Sequence, residues 1–252
     1  TAEQAVAEIT GADPGRGHRQ LSALDLAGQS AGFTGDASVP HASHIAEPGL
    51  VVAGNMLGGE RVLPALRQGY LDATGGMAER LLAALRAAGK AVGVVSNSAA
   101  YPKAHMMARY ARLGFDFSAS EVTTSREALT AHIAGLPPCR WGVMINPAVD
   151  LGELATLNTT VLGDDAESYD AQDGFLLVGA DGWTDRRQTL LEASLKRAPR
   201  PVLVGNPDLV APRETGLSRE PGWFAHRLAD RTGVMPVFLG KPFGQVFDIA
   251  LG

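Results

Sequence analysis

Five apolar runs in the second half of the chain constrain its fold more than any other feature of the sequence. They are residues 91–98 (AVGVVSNS), 141–147 (WGVMINP), 173–179 (DGFLLVG), 200–207 (RPVLVGNP) and 235–240 (MPVFLG). Each is a continuous apolar stretch that ends in small or polar residues, as expected of a strand buried on both faces. Helical patterns lie between them, at about Lys103 to Leu113, from Arg126 onward, at Arg186–Arg197 and at Gly222–Arg231. Ser125 is the expected cap of the helix that opens at Arg126. Strands that alternate with helices predict a parallel sheet and an α/β fold. The acidic stretch from Asp150 to Asp173 has little periodicity and reads as loop or irregular structure.

The first half has a different character. TAEQAVAEI reads as a short amphipathic helix, followed by a Gly- and Pro-rich loop. RQLSALDLAG and QSAGFTGD alternate apolar and polar residues, which predicts a half-buried hairpin. GLVVAGNML reads as a further strand. From Glu60 to Ala88 the period becomes helical, with Gly75-Gly76 dividing two helices. The character changes again at Gly89-Lys90, which predicts an α+β segment over residues 1–88 and an α/β domain over residues 89–252.

Composition removes several functional classes. The net charge is −5 and the Lys and Arg residues are scattered, which argues against nucleic acid as a partner. No apolar run approaches the roughly 20 residues of a membrane span. The opening TAEQAVAEIT lacks the basic and apolar regions of a signal peptide. Cys139 is the single cysteine, so an internal disulfide is excluded and a reducing, cytoplasmic setting is expected.

Chemistry concentrates in three motifs of the second half. Ser96 and Asn97 stand just past the end of the first apolar run, and open α/β sheets bind ligands at that edge. Gly205, Asn206, Pro207 and Asp208 follow the fourth run, and Lys241 stands in a Gly-Lys-Pro turn after the fifth. A hydroxyl and an amide can donate to phosphoryl oxygens, and an ammonium offsets their charge, so the set predicts a phosphate cradle.

With these motifs in this order, residues from about 84 to 252 resemble phosphatases of the haloacid-dehalogenase type (HAD), subfamily IIA, which includes nucleotide and p-nitrophenyl phosphatases. The resemblance implies a Rossmann-like core, here partial, with an inserted α/β cap over about residues 120–235. It places the phosphoryl-binding hydroxyl on Ser96 and the motif lysine on Lys241, the two catalytic candidates. Asn97, Gly205, Asn206 and Asp208 would shape the substrate pocket. It also implies Mg²⁺ as cofactor and a small phosphorylated metabolite as substrate. The family nucleophile, the first Asp of an Asp-x-Asp-Gly motif, has no counterpart at the expected place. Asp25-Leu26-Ala27-Gly28 comes nearest, with Ala27 where the second Asp would stand. No second acidic pair follows Lys241 as far as Gly252, so no metal ligands are identified. The expectation is a phosphatase scaffold with little or no turnover, the alternative being a non-catalytic phosphometabolite-binding module.

Residues 1 to about 88 resemble another family, the bacterial domain of unknown function DUF1028, thought to have an Ntn-hydrolase-like fold. The string HRQLSALDLAGQSAGFTGDASVPHASHIAEPGLVVAGNMLGGERVLPALRQGYLDATGGMAERLLAAL carries it, with the Phe33–Gly35 turn and the Gly54-Asn55 pair. It covers the middle of that domain only, so a fragment of an Ntn-like protein is a further alternative. Thr1 is a formal candidate for a terminal nucleophile, but it opens a helix instead of a buried strand. The two resemblances meet at about Glu79–Lys90, in an Ala/Leu-rich helix common to both families.

Other residues carry weaker signals. The histidines, 18, 41, 44, 105, 132 and 226, have no metal-ligand spacing, and His41 and His44 are expected in a solvated loop. Cys139 reads as an ordinary thiol. Gly58-Gly59 and Gly75-Gly76 read as turns, and Asp164, Asp165 and Asp181 as solvated acids.

Overall fold

The computed structural model describes every residue except Pro40 and Thr215. The chain divides into two compact units, Thr1–Val92 and Gly93–Gly252.

In the first unit, helix α1 (Ala2–Ala12) is closed by a capping box in which the Thr1 hydroxyl accepts from the Gln4 amide. Strands β1 (Gln20–Leu24) and β2 (Ser30–Thr34) form the expected antiparallel hairpin. A second hairpin pairs β3 (Ser43–Glu47) with β4 (Leu50–Gly54). Strand β3 was hidden in the sequence because its histidine and serine break the apolar alternation. His44 therefore lies on a strand and not in a solvated loop. Its Nδ1 shares a 2.9 Å hydrogen bond with the Thr34 hydroxyl, and its ring fills the space over Gly32. Helices α2 (Val62–Asp72) and α3 (Met77–Ala87) follow as expected. They cross closely at Gly69, where a methyl group would come within 2.6 Å of the Ala87 methyl. Among the described residues the buried apolar side chains of this unit are Ala2, Val6, Leu63, Leu82 and Ala84, so its core is thin.

The second unit begins with β5 (Val94–Ser96), then α4 (Lys103–Arg112), β6 (Val122–Thr124) and α5 (Ser125–Ala134). β5 and β6 pair in parallel. β5 is only half-buried, because β6 is its one partner strand among the described residues; the sequence had predicted burial on both faces. Helix α5 is capped by Thr124, whose hydroxyl accepts from the Glu127 amide while the Glu127 carboxylate reaches back to the Thr124 amide. Thr124, and not Ser125, is thus the cap. Threonine holds the extended backbone a cap requires, whereas Ser125 is already the first helical residue.

There follow β7 (Trp141–Met144), β8 (Thr159–Val161), α6 (Ala166–Asp170), β9 (Gly174–Leu177), α7 (Asp185–Arg197) and β10 (Val202–Val204). A hairpin of β11 (Val210–Arg213) and β12 (Gly216–Arg219) leads to α8 (Pro221–Thr232), β13 (Val237–Phe238) and α9 (Gly244–Leu251). The main sheet is parallel, in the order β13-β10-β9-β7-β8.

The period-two geometry of a strand divides its side chains between two cores. Val143, Leu176 and Leu203 meet Leu129 and Ile133 of α5 and Val246 of α9 on one face. Met144, Phe175, Leu177, Val202 and Val204 meet Leu191 and Leu195 of α7 and Phe224 and Leu228 of α8 on the other. Both faces are covered, which explains why these strands read as unbroken apolar runs. The acidic stretch 150–173 is ordered structure and not loop. It contains a 3-10 turn over Gly152–Leu157, edge strand β8 and helix α6, anchored by the buried Leu154, Leu162 and Tyr169. Three isolated anchors with no period gave too little signal to find.

Candidate functional site

In chain order the strands of the main sheet run β7, β8, β9, β10, β13, and their spatial order places β7 between β8 and β9. The chain therefore reverses direction across the sheet between β7 and β9. In doubly wound sheets a crevice opens at the carboxyl ends of the strands at such a switch point. A cleft of about 850 Å³ lies there. Asn146 after β7, Asp181 after β9, Asn206 and Asp208 after β10, Lys241 after β13 and Ser96 at the end of β5 all line it. Asn146 and Asp181 bridge the switch point directly, the amide donating to the carboxylate at 2.5 Å.

Asn97 ties three loops together. Its amide nitrogen donates to the Asp208 carboxylate at 2.7 Å and to the Lys241 carbonyl at 3.1 Å. Its carbonyl oxygen accepts from the Lys241 amide at 2.7 Å. The expected role of the Asn97 amide, donation to phosphoryl oxygens, gives way to this one, because its hydrogens are committed to protein acceptors. The tie fixes where Lys241 leaves the backbone. Gly240 permits it: a methyl group there would come within 2.5 Å of Pro207 Cδ and 2.6 Å of Asn97 Oδ1. The Lys241-Pro242 peptide is cis, and the turn closes with the Phe243 amide on the Gly240 carbonyl.

Ser96 and Lys241 are half-buried. Neither the Ser96 hydroxyl nor the Lys241 ammonium donates a hydrogen bond to, or forms an ion pair with, another described residue. Of the sequence-predicted set, these two are the donors that face the cleft uncommitted.

Asn206 and Asp208 form a built loop. The Asn206 carbonyl oxygen accepts from the Asp208 amide, and its nitrogen donates to Glu220 at 3.4 Å. Glu220, only 7% exposed, also accepts from Arg213 at 2.7 Å and from the Ser218 hydroxyl at 2.6 Å. Gly222 seats the loop on α8, since a methyl group there would come within 2.0 Å of the Pro207 carbonyl oxygen. Gly205, expected to bind substrate, is instead a buried packing position. A methyl group there would lie 2.8 Å from the Ala99 methyl, and its amide donates to the Leu177 carbonyl.

Arg126 escaped sequence reading altogether. Its side chain is fully buried. Its guanidinium donates to the Ala99 carbonyl at 2.9 Å and the Ala100 carbonyl at 3.1 Å, to the Leu151 carbonyl, and to Glu153 at 2.6 Å. Ala99 and Ala100 belong to the loop that continues from Ser96 and Asn97, so Arg126 holds the floor of the cleft. An arginine in a helical first turn ordinarily reads as solvated, and only the missing carboxylate partner nearby in sequence could have hinted otherwise.

The Asp25 carboxylate is engaged by backbone amides: it accepts from Ala27 at 3.0 Å and Gln29 at 2.9 Å within its own turn, and from Ala2 at 3.4 Å. The Gln29 bond, with the other two, holds its carboxyl below the usual aspartate range. The Thr1 hydroxyl is likewise engaged as a helix cap. Magnesium is held through one or two carboxylates, its octahedral shell completed by water and phosphate oxygens. The carboxylates of the cleft have separate partners, and among the described residues no three acidic, His or Cys side chains come together. Each cleft carboxylate, Asp181, Asp185, Asp208 and Glu220, already has a side-chain partner, so the cleft holds no preformed carboxylate seat for the ion that the resemblance implies.

Comparison with known proteins finds two family matches, which overlap over residues 75–101. Residues 1–101 match the model of a family of unknown function, DUF1028, and residues 75–150 match that of haloacid dehalogenase-like hydrolases. A p-nitrophenyl phosphatase from Archaeoglobus fulgidus superposes with a TM-score of 0.54 at 22% identity, over 66% of this chain and 62% of its own. A 4-nitrophenylphosphatase from Thermotoga maritima superposes with a TM-score of 0.56 at 20% identity, over 72% of this chain and 67% of its own. A DUF1028 protein from Silicibacter pomeroyi shares 38% identity over 35% of this chain and 41% of its own, with a TM-score of 0.33. No curated protein matches the chain. This chain spans only 62% of the Archaeoglobus phosphatase. The second unit thus carries the fold of the haloacid dehalogenase-like phosphatases, and it follows an amino-terminal segment that resembles DUF1028.

Proposed function

We propose that the second unit binds small phosphomonoesters in the cleft at the switch point and gives little or no turnover in this chain. One observation carries the reading. The Lys241 ammonium and the Ser96 hydroxyl both line the cleft with no protein acceptor among the described residues, while their loops are fixed from behind by Asn97 and Arg126. Preorganised donors of this kind suit a phosphoryl group, whose oxygens accept charge-assisted hydrogen bonds. Hydrolysis through a covalent intermediate needs a carboxylate nucleophile beside those donors. The carboxylates of the cleft, Asp181, Asp185, Asp208 and Glu220, are each held by a neighbouring side chain. The expected ligand is a small phosphorylated metabolite. No helix among the described residues is long and apolar enough to cross a membrane, and the single cysteine accords with a cytoplasmic setting.

The test is calorimetric titration of the purified chain with inorganic phosphate in the presence of EDTA, beside Lys241→Ala. Removing a charged donor costs about 1.5–3 kcal/mol, so the variant should bind at least about tenfold more weakly. Absence of phosphate binding by the folded parent chain would overturn the reading.

A further inference from the structure

The hairpin of β11 and β12 brings two arginines to the cleft, and their environments differ. Arg213 is neutralised: it pairs with the buried Glu220 at 2.7 Å and donates to the Ser218 hydroxyl at 3.0 Å. Arg219 has no carboxylate partner among the described residues. Its guanidinium lies over the Trp223 ring, 4.2 Å from the ring centroid. Stacking on an aromatic face leaves the edge N–H donors of a guanidinium free and directed outward, and limits the rotamers it must give up on binding. The carboxylates along the cleft offer Arg219 no competing acceptor. Asp208 is bonded to Asn97, Asp181 to Asn146, Asp185 to Arg227 at 2.6 Å, and Glu220 to Arg213. One wall thus holds an uncommitted ammonium at Lys241, and the hairpin holds an uncommitted, aromatic-backed guanidinium.

We infer that Arg219 is a specificity-determining residue, and that the cleft takes phosphomonoesters bearing a second anionic group. The phosphoryl group sits with Ser96 and Lys241, and the distal oxyanion is received by the Arg219 guanidinium, whose parallel N–H pair matches a carboxylate or a phosphate. The inference rests on the phosphate-binding reading above. A neutral tail of the same length would leave the guanidinium hydrated and gain nothing from it.

Calorimetry on the full chain in EDTA separates the two ideas. Three probes of similar length serve: glycerol 3-phosphate with a neutral tail, 3-phosphoglycerate with a carboxylate, and 1,3-propanediol bisphosphate with a second phosphate. The parent chain should prefer each probe with a second anionic group over glycerol 3-phosphate by about threefold to tenfold, a partly exposed charged pair being worth up to about 1 kcal/mol and more when bidentate. In Arg219→Gln that ratio should fall to about one, and in Arg219→Lys it should be intermediate. A preference for only one of the two probes with a second anionic group would identify the distal group as carboxylate or phosphate and supports the inference. Binding of all three probes with equal affinity by the parent, or an unchanged ratio in Arg219→Gln, overturns it and leaves phosphate binding standing. Failure of all three probes and of inorganic phosphate to bind overturns both.

Discussion

Replacing Arg126 by Met should damage the second unit more than any exposed substitution in it. The guanidinium is fully buried and donates to three backbone carbonyls, at Ala99, Ala100 and Leu151, besides Glu153. Methionine has a similar length but no donor. Each orphaned carbonyl loses about 1–3 kcal/mol, and the added apolar burial returns about 1.5–3 kcal/mol. The net loss should be about 3–5 kcal/mol, because three carbonyls lose their donor at once and apolar burial returns only part of it. For a domain of this size that lowers the melting temperature by about 6–20 °C. The assay is urea unfolding followed by tryptophan fluorescence, since Trp141, Trp183 and Trp223 all lie in the second unit. Glu153→Gln is the control. Glu153 is 45% exposed, so its change should cost under about 1 kcal/mol. A loss below about 1 kcal/mol for Arg126→Met, with unchanged slope, would refute the reasoning. So would equal losses for both variants, because the ion pair and not the carbonyl bonds would then carry the energy.

Other perturbations report on the same architecture. Asn97→Ala removes three loop-tying hydrogen bonds and should cost about 1–3 kcal/mol in urea unfolding while weakening phosphate binding. Gly240→Ala forces a methyl group to within 2.5 Å of Pro207, and should displace Lys241 and lower phosphate affinity by at least about tenfold in calorimetry. Acid should destabilise the second unit through its low-pKa aspartates. Hydrogen bonds from Ser194 and Arg197 hold the Asp170 carboxyl below its ordinary value of 3.8, and those from the Arg140 side chain and backbone do the same for Asp173. A depressed folded value means the stabilisation is full above the unfolded value near 4 and drains away as pH falls through the folded values. The urea midpoint should therefore hold steady above about pH 5 and drop below pH 4, with a shallower drop in Asp173→Asn.

Four strands of the parallel sheet, β7, β9, β10 and β13, were legible as short apolar runs alternating with helical patterns, since helices cover both faces of the sheet. The motif residues were legible because Asn206, Asp208 and Lys241 follow strands of that sheet, whose carboxyl ends share one edge, while Ser96 and Asn97 follow β5, whose carboxyl end reaches the same cleft. What each residue does there was not legible. Asn97 looked like a ligand donor and is a tie between loops, since its partners, Asp208 and the Lys241 backbone, are more than a hundred residues away. Gly205 looked like part of the pocket and proved to be a packing contact with Ala99. Arg126 gave no signal because its acceptors are mostly backbone carbonyls, which every residue has. β3, β8 and the β11–β12 hairpin were missed for a common reason. They are short, lie at sheet edges or in two-stranded pairs, and are held by a few anchors instead of a period.

Hydrolysis of p-nitrophenyl phosphate by the full chain, with and without Mg²⁺ and beside Lys241→Ala, tests the central claim most directly. The folded chain should bind phosphate yet release no nitrophenol above the Lys241→Ala background, with or without the metal. Mg²⁺-dependent turnover that disappears in Lys241→Ala would contradict that claim, because a carboxylate assigned here a structural role would then be completing the site.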